Sequence, residues 1–98
     1  MKKKIAILGS TGSIGKNLLS IIKMKPQNYE VTLLSANKNY KELLSQAKLF
    51  KVKNLIISNQ KIYDKVKSNK LFKKTKLFHD FSSYNKIFYK NKIDNNSI

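Results

Sequence analysis

The stretch Lys4-Ile5-Ala6-Ile7-Leu8-Gly9-Ser10-Thr11-Gly12-Ser13-Ile14-Gly15 decides the fold of this 98-residue chain. It opens with a short apolar run that glycine stops, a pattern typical of a buried parallel strand. A helical repeat of apolar residues follows the glycines, and Pro26 cannot continue that helix. The repeat comprises Ile14, Leu18, Leu19, Ile21 and Ile22. The sequence therefore predicts a strand, a glycine-rich turn and a helix over residues 13–25.

Strand and helix patterns alternate downstream of this unit. Residues 30–36 are β-branched and apolar and predict a second strand, and residues 55–58 predict a third. Between them, a stripe of apolar residues at helical spacing predicts a helix with one side facing a core. Ser58 or Asn59 could cap a further helix over residues 60–67. The stripe consists of Tyr40, Leu43, Leu44, Ala47 and Phe50. This β-α-β-α-β-α order predicts an α/β class, with a Rossmann-like doubly wound parallel sheet.

The pattern weakens after Ser68. Leu77 and Phe78 predict a short fourth strand, and apolar residues spaced over residues 81–88 predict a helix. The polar tail, residues 91–98, shows no closing element. We therefore expect residues 1–98 to form the N-terminal part of a nucleotide-binding domain whose sheet is incomplete.

The glycine loop predicts a binding site for a dinucleotide. Gly9 would turn the chain off the strand, Gly12 would leave room for a pyrophosphate, and Gly15 would let the helix pack closely on the sheet. The helix N-terminus offers free amides and a partial positive charge, and hydroxyl groups add donors. The predicted cofactor-binding residues here are Gly9, Ser10, Thr11, Gly12, Ser13, Ile14 and Gly15. The alternative is a tight structural turn without a ligand.

The end of the second predicted strand indicates which dinucleotide is bound. NAD sites place an acidic residue there on the ribose 2′-hydroxyl, but this chain reads Ser35-Ala36-Asn37-Lys38-Asn39. Lys38 could pair with a 2′-phosphate, and the two flanking asparagines could donate hydrogen bonds to it. Residues 36–39 therefore predict NADPH as the cofactor, although Lys38 could also be an ordinary surface lysine.

Charge and composition narrow the function classes. The net charge of +16 could suit nucleic acid, but all 21 strongly basic residues are lysines spread along the chain, and none is the arginine that reads bases bidentately. We expect a solvated basic surface rather than a nucleic-acid interface. No apolar stretch approaches the roughly 20 residues of a membrane span, and the absence of cysteine favours the cytoplasm.

With these residues in place, the sequence resembles the start of the 1-deoxy-D-xylulose 5-phosphate reductoisomerase family. The loop from Gly9 to Gly15 agrees with the family's G-S-T-G-S-I-G, whereas Asn37 replaces the glycine that the family usually has. Further agreement comes in the same order from Pro26, Tyr29, Val31, Leu34, Ala36, Lys38, Asn39, Leu43, Gln46 and Phe50. Asparagine tolerates positive φ better than most residues, so the turn at Asn37 should survive.

The resemblance implies an activity that this chain holds only in part. The family uses NADPH and Mg²⁺ or Mn²⁺ to convert 1-deoxy-D-xylulose 5-phosphate to 2-C-methyl-D-erythritol 4-phosphate for isoprenoid synthesis, and full-length members are expected to be homodimers. Members run to about four times this length, so the resemblance places the metal carboxylates and the catalytic residues beyond Ile98. His79 matches no family motif. The remaining alternatives are a small basic protein that binds nucleic acid or phosphate, and an inactive truncated product.

Overall fold

Helices and strands alternate in the computed structural model, which describes residues 2–79 and 95–97. The strands are β1 (Lys3–Ile7), β2 (Tyr29–Ala36), β3 (Asn54–Ile57), β4 (Lys76–Phe78) and β5 (Asn95–Ser97). The helices are α1 (Ser13–Lys23), α2 (Tyr40–Phe50) and α3 (Gln60–Val66), and a 3₁₀ turn spans Lys70–Phe72. The predicted alternation through β4 is confirmed, with element bounds that agree to within two residues.

All five strands run parallel in one sheet of order β4-β3-β2-β1-β5. From β1 to β4 each strand is added on the same side of the sheet, whereas β5 lies on the other side of β1. Ligands of such sheets bind where the strand order reverses, outside the carboxyl ends of the strands. The α/β doubly wound class is thereby confirmed, and the loop that follows β1 lies at the reversal point.

The main apolar core lies between the sheet and the three helices. Buried apolar residues of α1, α2 and α3 belong to one cluster with residues from β1, β2 and β3. The helix positions are Leu19, Ile22, Leu43, Leu44, Ala47 and Val66. Full burial of a leucine, isoleucine or valine side chain contributes about 1.5–3 kcal/mol, so these contacts hold the helices on one face of the sheet. The predicted apolar stripe of α2 is confirmed, with Tyr40 and Phe50 at its half-buried ends.

The C-terminal tail corrects one expectation. The polar residues 91–98 showed no closing element in the sequence, yet Asn95–Ser97 pairs with β1 through Ile5, Ala6 and Ile7. Backbone groups make the ladder of a parallel sheet, so a short strand at the end of a sheet does not need an apolar pattern. The helix predicted over residues 81–88 lies outside the described residues. Within the described ranges, no helix is long and apolar enough to cross a membrane.

Candidate dinucleotide-binding site

The two segments that the sequence singles out lie side by side at one edge of the sheet. The N–H of Ser10, after β1, donates to the carbonyl of Ser35 in β2 at 2.8 Å. The N–H of Ser58, after β3, donates to the carbonyl of Ala36 at 3.0 Å, and the N–H of Asn59 donates to Asn37 at 3.1 Å. Residues 9–15 and 36–39 thus form one continuous edge, as expected for the carboxyl ends of neighbouring parallel strands.

Gly9 makes the turn off β1. Its φ of +70° lies in the left-handed region, which favours glycine. Its N–H donates to Oγ of Ser35 at 2.8 Å, and its carbonyl accepts from the N–H of Gly12 at 3.1 Å. Both hydrogen bonds close the turn that Gly9 makes off β1, while contact between Gly9 and a cofactor stays a prediction.

Gly15 and Gly12 are glycines for different reasons. A Cβ at Gly15 would lie 2.5 Å from the carbonyl oxygen of Gly9 and 2.5 Å from Cα of Ser10. The nearest neighbours of Gly15 are thus backbone atoms of the loop that directly follows β1. A Cβ at Gly12 would meet only the Gly9 oxygen, at an ordinary 3.5 Å. The described residues therefore leave open space where a Cβ of residue 12 would lie. This is where the sequence predicts that a pyrophosphate binds.

The start of α1 is suited to an anion. Gly12 is the N-cap and supplies no side-chain cap, and the first turn contains no acidic residue. The first amides of a helix have no intrahelical acceptor and carry a partial positive charge. Thr11 is half-buried, and Ser13 and Ile14 are exposed beside these amides. This end of α1 can hold phosphate oxygens through backbone donors.

Ser10 faces the protein rather than solvent. It is fully buried, its hydroxyl donates to the carbonyl of Ser35 at 3.3 Å, and its own carbonyl accepts from Nε2 of Gln46 at 2.9 Å. The side chain and carbonyl therefore tie the loop to β2 and α2. Contact between Ser10 and a cofactor stays a prediction. Because the Ser10 hydroxyl is buried and bonded to Ser35, this geometry offers a cofactor no side-chain atom of Ser10.

The second loop carries the predicted 2′-phosphate site. Lys38 is exposed, as are Asn37 and Asn39. Oδ1 of Asn39 accepts from the N–H of Glu42 at 3.3 Å and caps α2, while Oδ1 of Asn37 accepts from the hydroxyl of Ser58 at 3.1 Å. Both amide oxygens are engaged, so the Nδ2 groups are the side-chain donors that the two asparagines could offer a ligand.

Two residues of this loop differ from their expected roles. Among the described residues other than glycine, positive φ occurs at Lys51, so Asn37 does not adopt it. Asn37 therefore replaces the family's glycine without strain. Ala36 is 3% exposed and belongs to the core, so it can meet a ligand through its backbone edge alone.

Polar residues outside the predicted cofactor-binding set complete the edge. Ser35 accepts from the loop through both its hydroxyl and its carbonyl, and Gln46 holds Ser10. Nζ of Lys16 lies 3.8 Å from Oε1 of Glu42, and because both side chains are well exposed, the pair contributes at most about 1 kcal/mol. The sequence held a signal for the burial of Gln46, because this polar residue lies beside Leu43 and Ala47 on the buried side of α2.

Other candidate sites lie away from this edge. A cavity of about 570 Å³ opens at the amino ends of β2 and β3. A second, of about 620 Å³, is lined by Leu44, Ala47, Val52, Thr75 and six lysines: Lys48, Lys51, Lys53, Lys70, Lys73 and Lys74. Among the residues that the structure describes, no three His, Cys, Asp or Glu side chains converge where they could hold a metal ion.

Comparison with known proteins agrees with this geometry. The family model of 1-deoxy-D-xylulose 5-phosphate reductoisomerase matches residues 5–95. The chain belongs to this family. Its sequence is 53% identical over 95 residues to the reductoisomerase of Pelagibacter ubique strain HTCC1062, covering 94% of the chain and 24% of that relative. Against the reductoisomerase of Wolbachia pipientis wMel it is 39% identical over 69 residues, covering 70% of the chain and 18% of the relative.

Solved structures of the family share the fold. The reductoisomerase from Zymomonas mobilis in complex with NADPH aligns over 89% of this chain and 23% of its own, with a TM-score of 0.76 and 26% identity. A reductoisomerase in complex with NADPH, fosmidomycin and magnesium aligns over 96% of this chain and 23% of its own, with a TM-score of 0.76 and 27% identity. The chain thus spans about a quarter of the length of the relatives it matches.

Proposed function

We propose that this chain is the NADPH-binding part of a reductoisomerase that converts 1-deoxy-D-xylulose 5-phosphate to 2-C-methyl-D-erythritol 4-phosphate. The observation that carries the proposal is the start of α1. An uncapped helix N-terminus without acidic residues lies at the reversal point of the sheet, beside the open side of Gly12. A family neighbour of similar structure is in complex with NADPH, which supports the same assignment.

The residues present fit the cofactor. The amides of Thr11, Ser13 and Ile14 would hold the pyrophosphate, because their edge of the loop carries no competing acid. Lys38 and the Nδ2 groups of the adjacent asparagines would hold the 2′-phosphate. Bound NADPH supplies the hydride for the reduction step. These loops bind the cofactor and orient it.

The metal-dependent part of the reaction is proposed to lie elsewhere in the enzyme. Within residues 2–79 and 95–97 no carboxylate cluster forms, so the described residues do not fit Mg²⁺ or Mn²⁺. We place the metal ligands and the substrate site in the part of the family's length that this chain does not span. We also propose that the whole enzyme is a cytoplasmic homodimer.

This placement predicts that the 98 residues alone do not turn over 1-deoxy-D-xylulose 5-phosphate. A fixed metal supplies several kcal/mol of transition-state stabilisation, and each 1.36 kcal/mol lost costs about tenfold in rate. Purified chain is assayed for NADPH oxidation with substrate and Mg²⁺ or Mn²⁺. Metal-dependent oxidation in proportion to chain concentration would contradict the placement.

A second candidate function has one observation in its favour. The cavity that six lysines line, together with the net charge of +16, suits a polyanion such as nucleic acid. The two functions respond differently to salt. Nucleic-acid binding weakens steeply as counterions are restored, whereas NADPH binding is displaced by a compact analogue such as adenosine 2′,5′-bisphosphate.

Fluorescence titration of the chain with NADPH, then with duplex DNA, separates the two candidates. We expect saturable NADPH binding that adenosine 2′,5′-bisphosphate competes away. DNA binding should fall by orders of magnitude between about 50 and 200 mM salt. A chain that binds DNA and shows no competable NADPH binding would favour the basic binding protein instead.

A further inference from the structure

Gln46 is a buried amide on α2 that reaches the glycine loop. It is 6% exposed, and its Nε2 donates to the carbonyl of Ser10 at 2.9 Å. Its Oε1 is buried without a hydrogen-bond partner among the described residues. A polar group left unpaired in this way is unfavourable for stability. The arrangement therefore suggests a role other than packing.

The contact fixes the direction of one peptide group. The described chain contains no cis peptide bond, and in a trans peptide the C=O and the following N–H point in opposite directions. Because Gln46 draws the Ser10 carbonyl towards α2, the N–H of Thr11 must point away from α2. That N–H makes no hydrogen bond within residues 2–79 and 95–97.

The reversed peptide would oppose an anion. If the peptide between Ser10 and Thr11 turned over, the Ser10 carbonyl would take the place of the Thr11 N–H and direct negative charge at the phosphates. Such a reversal would turn the Ser10 carbonyl away from its hydrogen bond with Gln46, so this bond restrains the loop against it. Gln46 supplies the restraint from α2, a part of the chain 36 residues away in sequence.

We infer that Gln46 is a positioning residue, which orients the peptide between Ser10 and Thr11 so that Thr11 donates to the cofactor's pyrophosphate. The inference rests on the proposed function and deepens it. In this arrangement α2 supports the pyrophosphate loop through Gln46 and the second loop through the cap at Asn39. A purely structural Gln46 would affect all ligands alike, whereas a positioning Gln46 affects those that carry the pyrophosphate.

The test is Gln46→Met, which keeps the length and the unbranched shape but removes the donor. Affinity is measured for NADPH and for adenosine 2′-monophosphate, which has the 2′-phosphate but no pyrophosphate. We expect NADPH to bind about tenfold more weakly, the effect of one hydrogen bond to a charged ligand. Adenosine 2′-monophosphate should stay within about twofold of wild type. Gln60→Met, the same change at an exposed helical position, is the control and should leave both affinities unchanged.

Each outcome has one meaning. Equal losses for the two ligands, or no loss for either, would overturn the positioning role. Failure of the wild-type chain to bind NADPH would refute the proposed function itself, and this inference with it. Should Gln46→Met not fold, the amide resonance of Thr11 in ¹⁵N-labelled wild type gives a second test. It should shift on NADPH addition and not on addition of adenosine 2′-monophosphate, and an unshifted resonance would overturn the inference.

Discussion

The loops after β1 and β2 lie at the same edge of the sheet but are held in different ways. Residues 9–15 are shaped by their backbone: Gly9 adopts a φ of +70°, and no Cβ fits at Gly15. Residues 37–39 have no such constraint, and exposed side chains give this loop its character. Under the proposed function, we infer that pyrophosphate binding would depend on space in the first loop, whereas the choice between NADPH and NADH would depend on charge in the second.

Gly12→Val should produce the largest effect on binding. A branched side chain would fill the open side of Gly12, and NADPH affinity should fall by roughly a thousandfold, or about 4 kcal/mol. The φ of −78° and ψ of 172° at Gly12 are extended and accessible to valine, so the helix content seen by circular dichroism should change little. Asn17→Val, at an exposed position of α1, is the control. Unchanged binding by Gly12→Val would show that the loop is a turn alone.

Gly15→Ala should act on the fold instead. Alanine normally favours a helix over glycine by about 1 kcal/mol, but here its Cβ would lie 2.5 Å from backbone atoms of Gly9 and Ser10. We expect the clash to win and to lower the free energy of unfolding by about 2–3 kcal/mol. Urea denaturation measures this, with Gly12→Ala as the matched change, expected to cost less than about 1 kcal/mol. Equal costs at the two glycines would contradict the contrast drawn between them.

Lys38→Glu should have a smaller and more selective effect. Replacing the exposed cation should weaken NADPH relative to NADH by about 1–2 kcal/mol, because a charge-assisted bond to the 2′-phosphate is lost. Parallel titrations with both cofactors measure the difference. Lys25→Glu makes the same charge change at an exposed position after α1, at the opposite edge, and should leave the ratio unaltered. Equal weakening of NADPH and NADH by Lys38→Glu would mean that the residue acts only through net charge.

The sequence predicted the elements whose apolar periods were clear, and it predicted both loops of the site. Local patterns suffice there, because strand ends, glycines and caps such as Asn59, whose Oδ1 accepts from Ile62 at 3.0 Å, are encoded within a few residues. It missed β5, since backbone pairing with β1 needs no apolar pattern. The reach of Gln46 to Ser10 also escaped it, because this contact depends on how separate elements meet in three dimensions.

Calorimetric titration of the wild-type chain with NADPH and, separately, with NADH probes both loops of the proposed site in one experiment. The two cofactors share the pyrophosphate that the loop after β1 would hold, and they differ in the 2′-phosphate that Lys38 would meet. We predict saturable binding of both, with NADPH tighter by about tenfold, the equivalent of about 1.4 kcal/mol. Equal affinities would contradict the assignment of NADPH, and no binding of either would contradict the site itself.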